Sequence, residues 1–236
     1  MLSLTFGCAA ELVGYACRSL SAKKDPYHVT YFVLQYFFIV TAPVFITASI
    51  YVTLNKLISW ARSAGFEGGT IRHWLRPKMI FWGFLTCDII STILQVAGAA
   101  LVGNAESNMK DPTTANNILL AGLAFQTFAF VTFLAVLVTF LASLSRDHTF
   151  GIRLGGRLQF VGALVLASLL LLLRIVFRLA ETAQGVFGYL MVHEAFFGAL
   201  EYSPVVIAVT VLAVWHPGRW LSEAESVEER KVEDSA

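Results

Sequence analysis

Long stretches without charge constrain this chain more than any other feature. The 31 residues from Ala115 to Ser145 contain no Asp, Glu, Lys or Arg, and Val29 to Asn55 are equally free of charge. About 20 mostly apolar residues are enough for one helix to cross a bilayer. Of the 236 residues, 57% are hydrophobic and only 14% are charged, whereas a soluble domain carries about 25% charged residues. The chain is therefore predicted to be an all-α integral membrane protein.

Six such stretches predict a polytopic helical bundle with six spans. Short polar connections with turn-forming pairs such as Asp111-Pro112 separate them. Residues 1–221 are predicted to form one transmembrane domain, and the charge-rich residues 222–236 are predicted to be a disordered acidic tail. The predicted spans are Leu2 to Cys17, Val29 to Asn55, Met79 to Gly103, Ala115 to Ser145, Leu158 to Ala183 and Phe187 to Trp215.

The Lys and Arg residues near the span ends predict the orientation. Eleven of them fall in the loop after the second span, the loop after the fourth span and the C-terminal tail, and five fall on the other side. Cytoplasmic loops carry the excess of positive residues. Both of these loops and the C-terminus are therefore predicted to be cytoplasmic, and with six spans the N-terminus would be cytoplasmic too.

Polar and ionisable side chains inside the predicted spans are the candidate functional residues. A charged residue costs about 2.5–3.5 kcal/mol or more to insert, so it normally faces the bundle interior. Several recur three or four residues apart, which places them on one face of a helix. The candidate substrate-binding or translocation residues are Glu11, Tyr15, Arg18, Asp88, Gln95, Gln126, Arg174, Arg178, Glu181, Glu194 and Glu201.

The depth of these residues predicts an ion-pair network. Counting 1.5 Å per residue from the predicted cytoplasmic ends places most of them in the outer half of the membrane. Glu11 falls near the middle. A polar vestibule open to the non-cytoplasmic side is therefore expected. The expected members of one ion-pair network there are Glu11, Arg174, Arg178 and Glu194.

Two carboxylates, Asp88 and Glu201, are predicted to lie deeper. Neither has a basic residue at its own depth, and an unpaired buried carboxylate favours its protonated form. Both are candidates for proton coupling. A structural hydrogen bond from Asp88 to Gln95 is the alternative. Any single polar residue could equally have a structural role, such as an ion pair that fixes the packing of the helices, but polar stripes on five helices are more than packing requires. Pro43 and Pro204 are candidate kinks, either static or hinged.

Several classes of chemistry have no motif in the chain. There is no phosphate-binding G-x-x-x-x-G-K-[ST] sequence and no G-x-S-x-G nucleophile elbow. Of the five histidines, only His193 falls inside a span, so no metal or haem site is predicted. No cofactor is expected, and a net charge of +1 gives no reason to expect a nucleic-acid partner.

Four motifs make the chain resemble the fungal RTA-like proteins, also called the lipid-translocating exporter family. They occur in order along nearly the whole chain, with G-x-x-x-Q at Gly122 between the third and fourth. The motifs are E-x-x-G-Y-x-x-R from Glu11, A-P-x-F-x-x-A-x-x-Y from Ala42, F-x-x-x-D-x-x-S-x-x-x-Q-x-x-G from Phe84 and R-x-x-F-R-x-x-E-x-x-x-G from Arg174.

This resemblance implies a multi-pass membrane protein that moves or exports amphiphilic lipids, of the sphingoid-base or sterol-like class, and confers resistance to toxic amphiphiles. Membrane lipids or small amphiphiles are then the expected partners, and the plasma membrane the expected location. Family members usually have seven spans, so the first helix is expected to be missing here. Gly198 stands where the family often has Tyr.

Three functional hypotheses follow, in this order. The first is a translocator of amphiphiles, and the excess of embedded acids over embedded bases would suit a cationic lipid amine. The second is a receptor-like stress sensor that acts through partners without transport. The third is an intramembrane enzyme using acid–base chemistry, which is the weakest because the spans contain no nucleophile motif.

Overall fold

The computed structural model describes residues 2–24, 29–63, 77–109, 111–146, 158–185 and 197–215. Within these ranges the chain is helical almost throughout, which confirms the all-α class. The tail 222–236, His193, Glu194 and the first part of the sixth predicted span lie outside the described residues. The helices are α1 (Leu2–Lys24), α2 (Val29–Ser63), α3 (Pro77–Ser107), α4 (Thr113–Arg146), α5 (Leu158–Ala183) and a π-helical turn (Phe197–Tyr202) that continues into α6 (Ser203–Val214).

The helix bounds match the predicted spans most closely at α5. Gly185 follows α5 with a φ of 78°, the left-handed conformation that commonly ends helices. By contrast, α1 and α2 extend about two turns beyond their predicted ends at Cys17 and Asn55. The prediction stopped where charges begin, but a helix backbone continues to form its own hydrogen bonds after it leaves the apolar layer.

Four of the described helices are long and apolar enough to cross a bilayer. They carry large apolar side chains on their outer surfaces: Ile93 on α3 is 62% exposed and Phe128 on α4 is 72% exposed. Exposure of such residues along a helix is expected where the surroundings are lipid. The four segments are Leu34–Arg62, Met79–Ala105, Thr113–Arg146 and Gln159–Ala183, and Gly198–Val214 is a shorter apolar helix.

Small residues bring neighbouring helices close together. Helix α1 packs along α2, α3 packs along both α2 and α4, and α5 contacts α4 and α6. On α3, a Cβ atom added at Gly98 would lie only 2.7 Å from the backbone nitrogen of Leu119 on α4. Helices in membranes associate largely through this kind of close packing.

Apolar and polar side chains occupy different halves of the bundle. The apolar core is built from the later parts of α2 and α4, the first part of α5 and α6, with Leu54, Leu137 and Leu164 all 0% exposed. Except for Asp88, which lies against Thr47 and Tyr51 at the edge of the apolar core, the buried charged side chains lie towards the other end, where α2 begins and α5 ends. The fold thus concentrates the candidate residues in one half.

Candidate functional site

Arg174 lies at the centre of a buried group of ion pairs. Its Nη1 is 3.0 Å from Glu11 Oε1, and its Nη2 is 3.6 Å from Glu201 Oε1. Arg174 is only 3% exposed and Glu201 is 0% exposed. The three side chains come from α5, α1 and the π-helical turn, so this arginine joins segments that are far apart in the sequence.

A backbone carbonyl of α2 completes the contacts of Arg174. Nη2 donates a hydrogen bond of 3.2 Å to the carbonyl oxygen of Ile39. In a regular α-helix that oxygen accepts from the N–H four residues later, but residue 43 is a proline within α2 and has no N–H. The guanidinium therefore uses the acceptor that Pro43 leaves free. Pro43 positions the site, whether or not it also kinks the helix.

Arg178 extends the group by one helical turn. Its Nη1 is 3.3 Å from Glu181 Oε2 and 3.4 Å from Glu201 Oε1. Its guanidinium carbon is 4.9 Å from the centre of the Tyr36 ring on α2, within the range of a cation–π interaction. Arg18 adds an electrostatic interaction with Glu181. We call these five side chains the ion-pair cluster: Glu11, Arg174, Arg178, Glu181 and Glu201.

The helical spacing predicted much of this cluster. Arg174 and Glu11 meet, as expected, and Arg178 is joined to them through Glu201. Glu194 lies outside the described residues, so its place in the network stays a prediction. Tyr15, on the same stripe as Glu11, packs edge-to-face against Tyr202 with the ring centres 5.2 Å apart.

The expectation that Glu201 has no basic partner was wrong. Glu201 contacts both Arg174 and Arg178. Side chains on a helix lean towards its N-terminus, so the two guanidiniums reach back along α5 while Glu201 leans the opposite way on the last segment. Counting backbone depth ignored this reach. Glu201 also lies in a π-helical turn just before Pro204, a deviation from the α-helix that is frequent at functional sites.

Gln95 and Gln126 form a second polar contact, between α3 and α4. Gln95 Nε2 donates to Gln126 Oε1 at 2.8 Å, and both side chains are buried. They share a cavity of about 30 Å³ with the two arginines of the ion-pair cluster and with Thr47. The cavity lies at the centre of α2, α3, α4 and α5, and it connects the predicted stripes of these helices.

Asp88 has different partners from those expected. Its Oδ2 accepts hydrogen bonds from Thr47 Oγ1 at 3.0 Å and Tyr51 Oη at 2.9 Å, both on α2. The proposed bond to Gln95 is absent, and the Gln95 amide donates to Gln126. Gln95 also lies seven residues from Asp88 on the same helix, about 10 Å along its axis. Asp88 is 1% exposed and forms no ion pair within the described ranges.

Sequence reasoning missed four contributors on α2, one of which is Tyr36 beside Arg178. Thr47 and Tyr51 were overlooked as partners of Asp88, although Tyr51 closes one of the motifs that carry the resemblance. The carbonyl of Ile39 was also missed, and its signal was the proline four residues later. Among the residues that the structure describes, no group of three His, Cys, Asp or Glu is arranged to hold a metal ion.

Comparison with known proteins identifies similar chains in yeast. Protoporphyrin uptake protein 1 of Saccharomyces cerevisiae is 31% identical over 209 residues, covering 88% of this chain and 65% of that protein. Protein RTM1 of the same species is 28% identical, covering 90% and 66%. The sphingoid long-chain base transporter RSB1 of that species is 29% identical, covering 92% and 64%. No solved structure matches.

The chain thus spans about two thirds of the length of these relatives, slightly less in each case. The family model described as RTA1 like protein matches residues 4–224, which contain every member of the ion-pair cluster together with Asp88, Gln95 and Gln126. This chain belongs to the RTA1-like protein family.

Proposed function

We propose that this protein moves amphiphilic lipids with a basic head group, such as sphingoid bases, across the membrane and so protects the cell against toxic amphiphiles. The observation that carries the proposal is the ion-pair cluster, in which three buried carboxylates face two guanidiniums inside the helix bundle. Buried ionisable groups in a membrane normally mark a pathway for a substrate or an ion.

Counted with Arg18 beside Glu181, the cluster is balanced at three carboxylates and three guanidiniums, and Asp88 adds a fourth buried carboxylate. Glu201 is shared by Arg174 and Arg178, while Glu11 pairs only with Arg174 among the ion pairs and Glu181 lies at the other end of the cluster. An ammonium group could pair with one of these carboxylates as an arginine shifts to another. Leu123 and Ile175 give the central cavity apolar walls, but at about 30 Å³ it has room for about one water molecule, so the helices would have to separate to admit a hydrocarbon tail.

The relatives support transport of amphiphiles but differ in the charge of the cargo. The name of RSB1 states transport of sphingoid long-chain bases, which carry an amine, and the name of the first relative states uptake of protoporphyrin, which carries carboxylates. Neither name describes an enzyme, and we infer no enzymatic activity for this chain. The buried carboxylates number four against three guanidiniums when Asp88 and Arg18 are included, which leads us to favour the basic cargo and membrane lipids as partners.

Purified protein in liposomes tests the proposal with a fluorescent sphingoid base. We expect movement between leaflets to exceed that in protein-free liposomes, and protoporphyrin to be moved less well. Glu201→Gln should reduce the rate by about 10- to 100-fold, because a charge-assisted hydrogen bond contributes about 1.5–3 kcal/mol and about 1.4 kcal/mol corresponds to a factor of ten. Asp111→Asn is the matched control, since Asp111 is exposed beyond the end of α3.

Two results would contradict this function. If the wild-type protein moves the lipid no faster than empty liposomes, transport is wrong and a receptor-like sensor that acts through partners becomes the better hypothesis. If protoporphyrin moves faster than the sphingoid base, the assignment of a basic cargo is wrong. If the Glu201→Gln protein is folded and fully active, the ion-pair cluster is not needed for transport.

The proposed location is the plasma membrane, with the C-terminus and the loop between α4 and α5 in the cytoplasm. The bias of eleven positive residues against five supports this orientation. We expect an epitope tag at the C-terminus to resist protease added to intact cells and to be digested after permeabilisation. Digestion of the tag in intact cells would show that the C-terminus lies outside and that the proposed topology is wrong.

A further inference from the structure

Thr47 has one hydroxyl hydrogen and two acceptors within reach. Its Oγ1 is 3.0 Å from the carbonyl oxygen of Val44 and 3.0 Å from Asp88 Oδ2. A hydroxyl donates a single hydrogen bond but can also accept. The direction of the Thr47–Asp88 bond therefore depends on whether the carboxyl carries a proton.

Two complete hydrogen-bond arrangements fit the same atoms. When Asp88 is ionised, Thr47 and Tyr51 both donate to it, and the Thr47 hydroxyl does not donate to Val44. When Asp88 is protonated, its hydroxyl donates to Thr47, and Thr47 turns its own hydrogen to Val44. Tyr51 donates to the carboxyl in both arrangements, at 2.9 Å. A bound proton thus reverses one hydrogen bond without moving a heavy atom.

We infer that Asp88, Thr47 and Tyr51 form a proton-binding site that is distinct from the ion-pair cluster and couples lipid movement to a proton gradient. One proton from the more acidic side binds the Asp88 carboxylate, and the same proton leaves to the other side when the carboxyl ionises again. The inference rests on the proposed transport function for its coupling, whereas proton binding itself does not.

The surroundings of Asp88 suit this role. From α2 the titratable group that faces it is Tyr51, whose ring packs on Phe133 of α4 with the centres 4.5 Å apart. On α3 itself, Cys87 is adjacent in sequence, and Ser91 donates to the Asp88 main chain. The second carboxyl oxygen, Oδ1, is buried without a hydrogen-bond partner. Within the described ranges Asp88 makes no ion pair, so no fixed positive charge holds it ionised.

Thr47 links this site to the proposed lipid pathway. It lines the central cavity together with Arg174, Arg178, Gln95 and Gln126. The lone pairs and the hydrogen of its hydroxyl change direction when Asp88 binds or loses a proton. That cavity borders the ion-pair cluster, where the lipid head group would bind. The protonation state of Asp88 therefore changes the hydrogen bonding that the Thr47 hydroxyl can offer at this site.

Two measurements on the reconstituted full chain test the inference. Infrared difference spectroscopy between acidic and alkaline pH should show a carboxylic acid carbonyl band that is absent from Asp88→Asn and kept in the control Asp111→Asn. In liposomes with an imposed pH gradient, the wild type should accumulate a fluorescent sphingoid base on one side beyond the level reached in protein-free liposomes, where protonation alone traps the amine on the acidic side. Asp88→Asn should keep exchange without a gradient but lose about tenfold or more of the accumulation.

Thr47→Val separates proton binding from coupling and guards against misfolding of the aspartate variant. It keeps the shape of the side chain and the carboxyl of Asp88, so the infrared band should remain while gradient-driven accumulation falls. If no band depends on Asp88, the proton site is wrong, even if lipid transport is observed. If the band is present and Asp88→Asn still accumulates lipid fully, coupling is wrong. If the band is present but no variant moves lipid, the transport function fails and proton binding stands.

Discussion

Arg174→Ala is expected to lower the free energy of unfolding by about 3–5 kcal/mol, the cost of leaving a buried ion pair with one partner. The substitution would strand the Glu11 carboxylate, take one of its two guanidiniums from Glu201 and free the Ile39 carbonyl that Pro43 already deprives of its helical donor. We therefore expect a large loss of folded protein as well as of transport.

Thermal unfolding in detergent and the yield of monodisperse protein would measure this loss. Arg146→Ala is the control, because Arg146 lies exposed at the end of α4. Glu11→Gln combined with Arg174→Met should be less damaging than the sum of the single substitutions, since each removes the partner that the other strands. Arg174→Ala behaving like Arg146→Ala would mean that the cluster does not hold the helices together.

Gly98→Ala should destabilise the bundle by about 1–3 kcal/mol, as overpacking in a tight interior commonly does. The new Cβ atom would lie 2.7 Å from the backbone nitrogen and 2.8 Å from the Cα atom of Leu119. These are backbone atoms, which cannot turn away as the end of a side chain can, so α3 and α4 would have to separate. The hydrogen bond of Gln95, one turn away on α3, would then lengthen.

Gly83→Ala is the matched control on the same helix. No atom lies within 4 Å of the Cβ position at Gly83. Alanine there should be neutral or stabilising by about 0.5–1 kcal/mol, because it reduces the backbone freedom of the unfolded chain. Comparing the unfolding temperatures of the two variants isolates the effect of the contact with Leu119. Equal temperatures would show that α3 and α4 do not approach as closely as the structure has them.

The elements of this protein were largely readable from its sequence. Charge-free stretches located the helices, and α5 begins and ends where predicted because its apolar run is bounded by polar residues at both ends. The stripes of Arg174, Arg178 and Glu181 could be read from helical spacing alone. Their inward direction follows from the cost of exposing charge to lipid, which is a property of each helix and needs no knowledge of its neighbours.

The partners across helices could not be read in this way. Glu201 was expected to be alone and proved to be shared by two arginines. For Asp88 a bond to Gln95 was the structural alternative, and Asp88 instead accepts hydrogen bonds from Thr47 and Tyr51. The first error came from counting depth along separate helices, whereas the second ignored the seven residues, about 10 Å along the axis of α3, that separate Asp88 from Gln95. The actual contacts depend on the tilt, rotation and relative shift of the helices and on the lean of long side chains.

The sequence by itself thus determined that the chain is an all-α membrane protein and which faces of its helices are polar, because these follow from local periodicity and from the solvation of charge. Only the tertiary structure decided that the Ile39 carbonyl, left free by Pro43, accepts a hydrogen bond from Arg174. It also decided that Asp88 accepts hydrogen bonds from the hydroxyl groups of Thr47 and Tyr51 on α2 rather than pairing with Gln95. Such pairings are set by packing, in which close contacts such as that of Gly98 with Leu119 fix the position of one helix against the next.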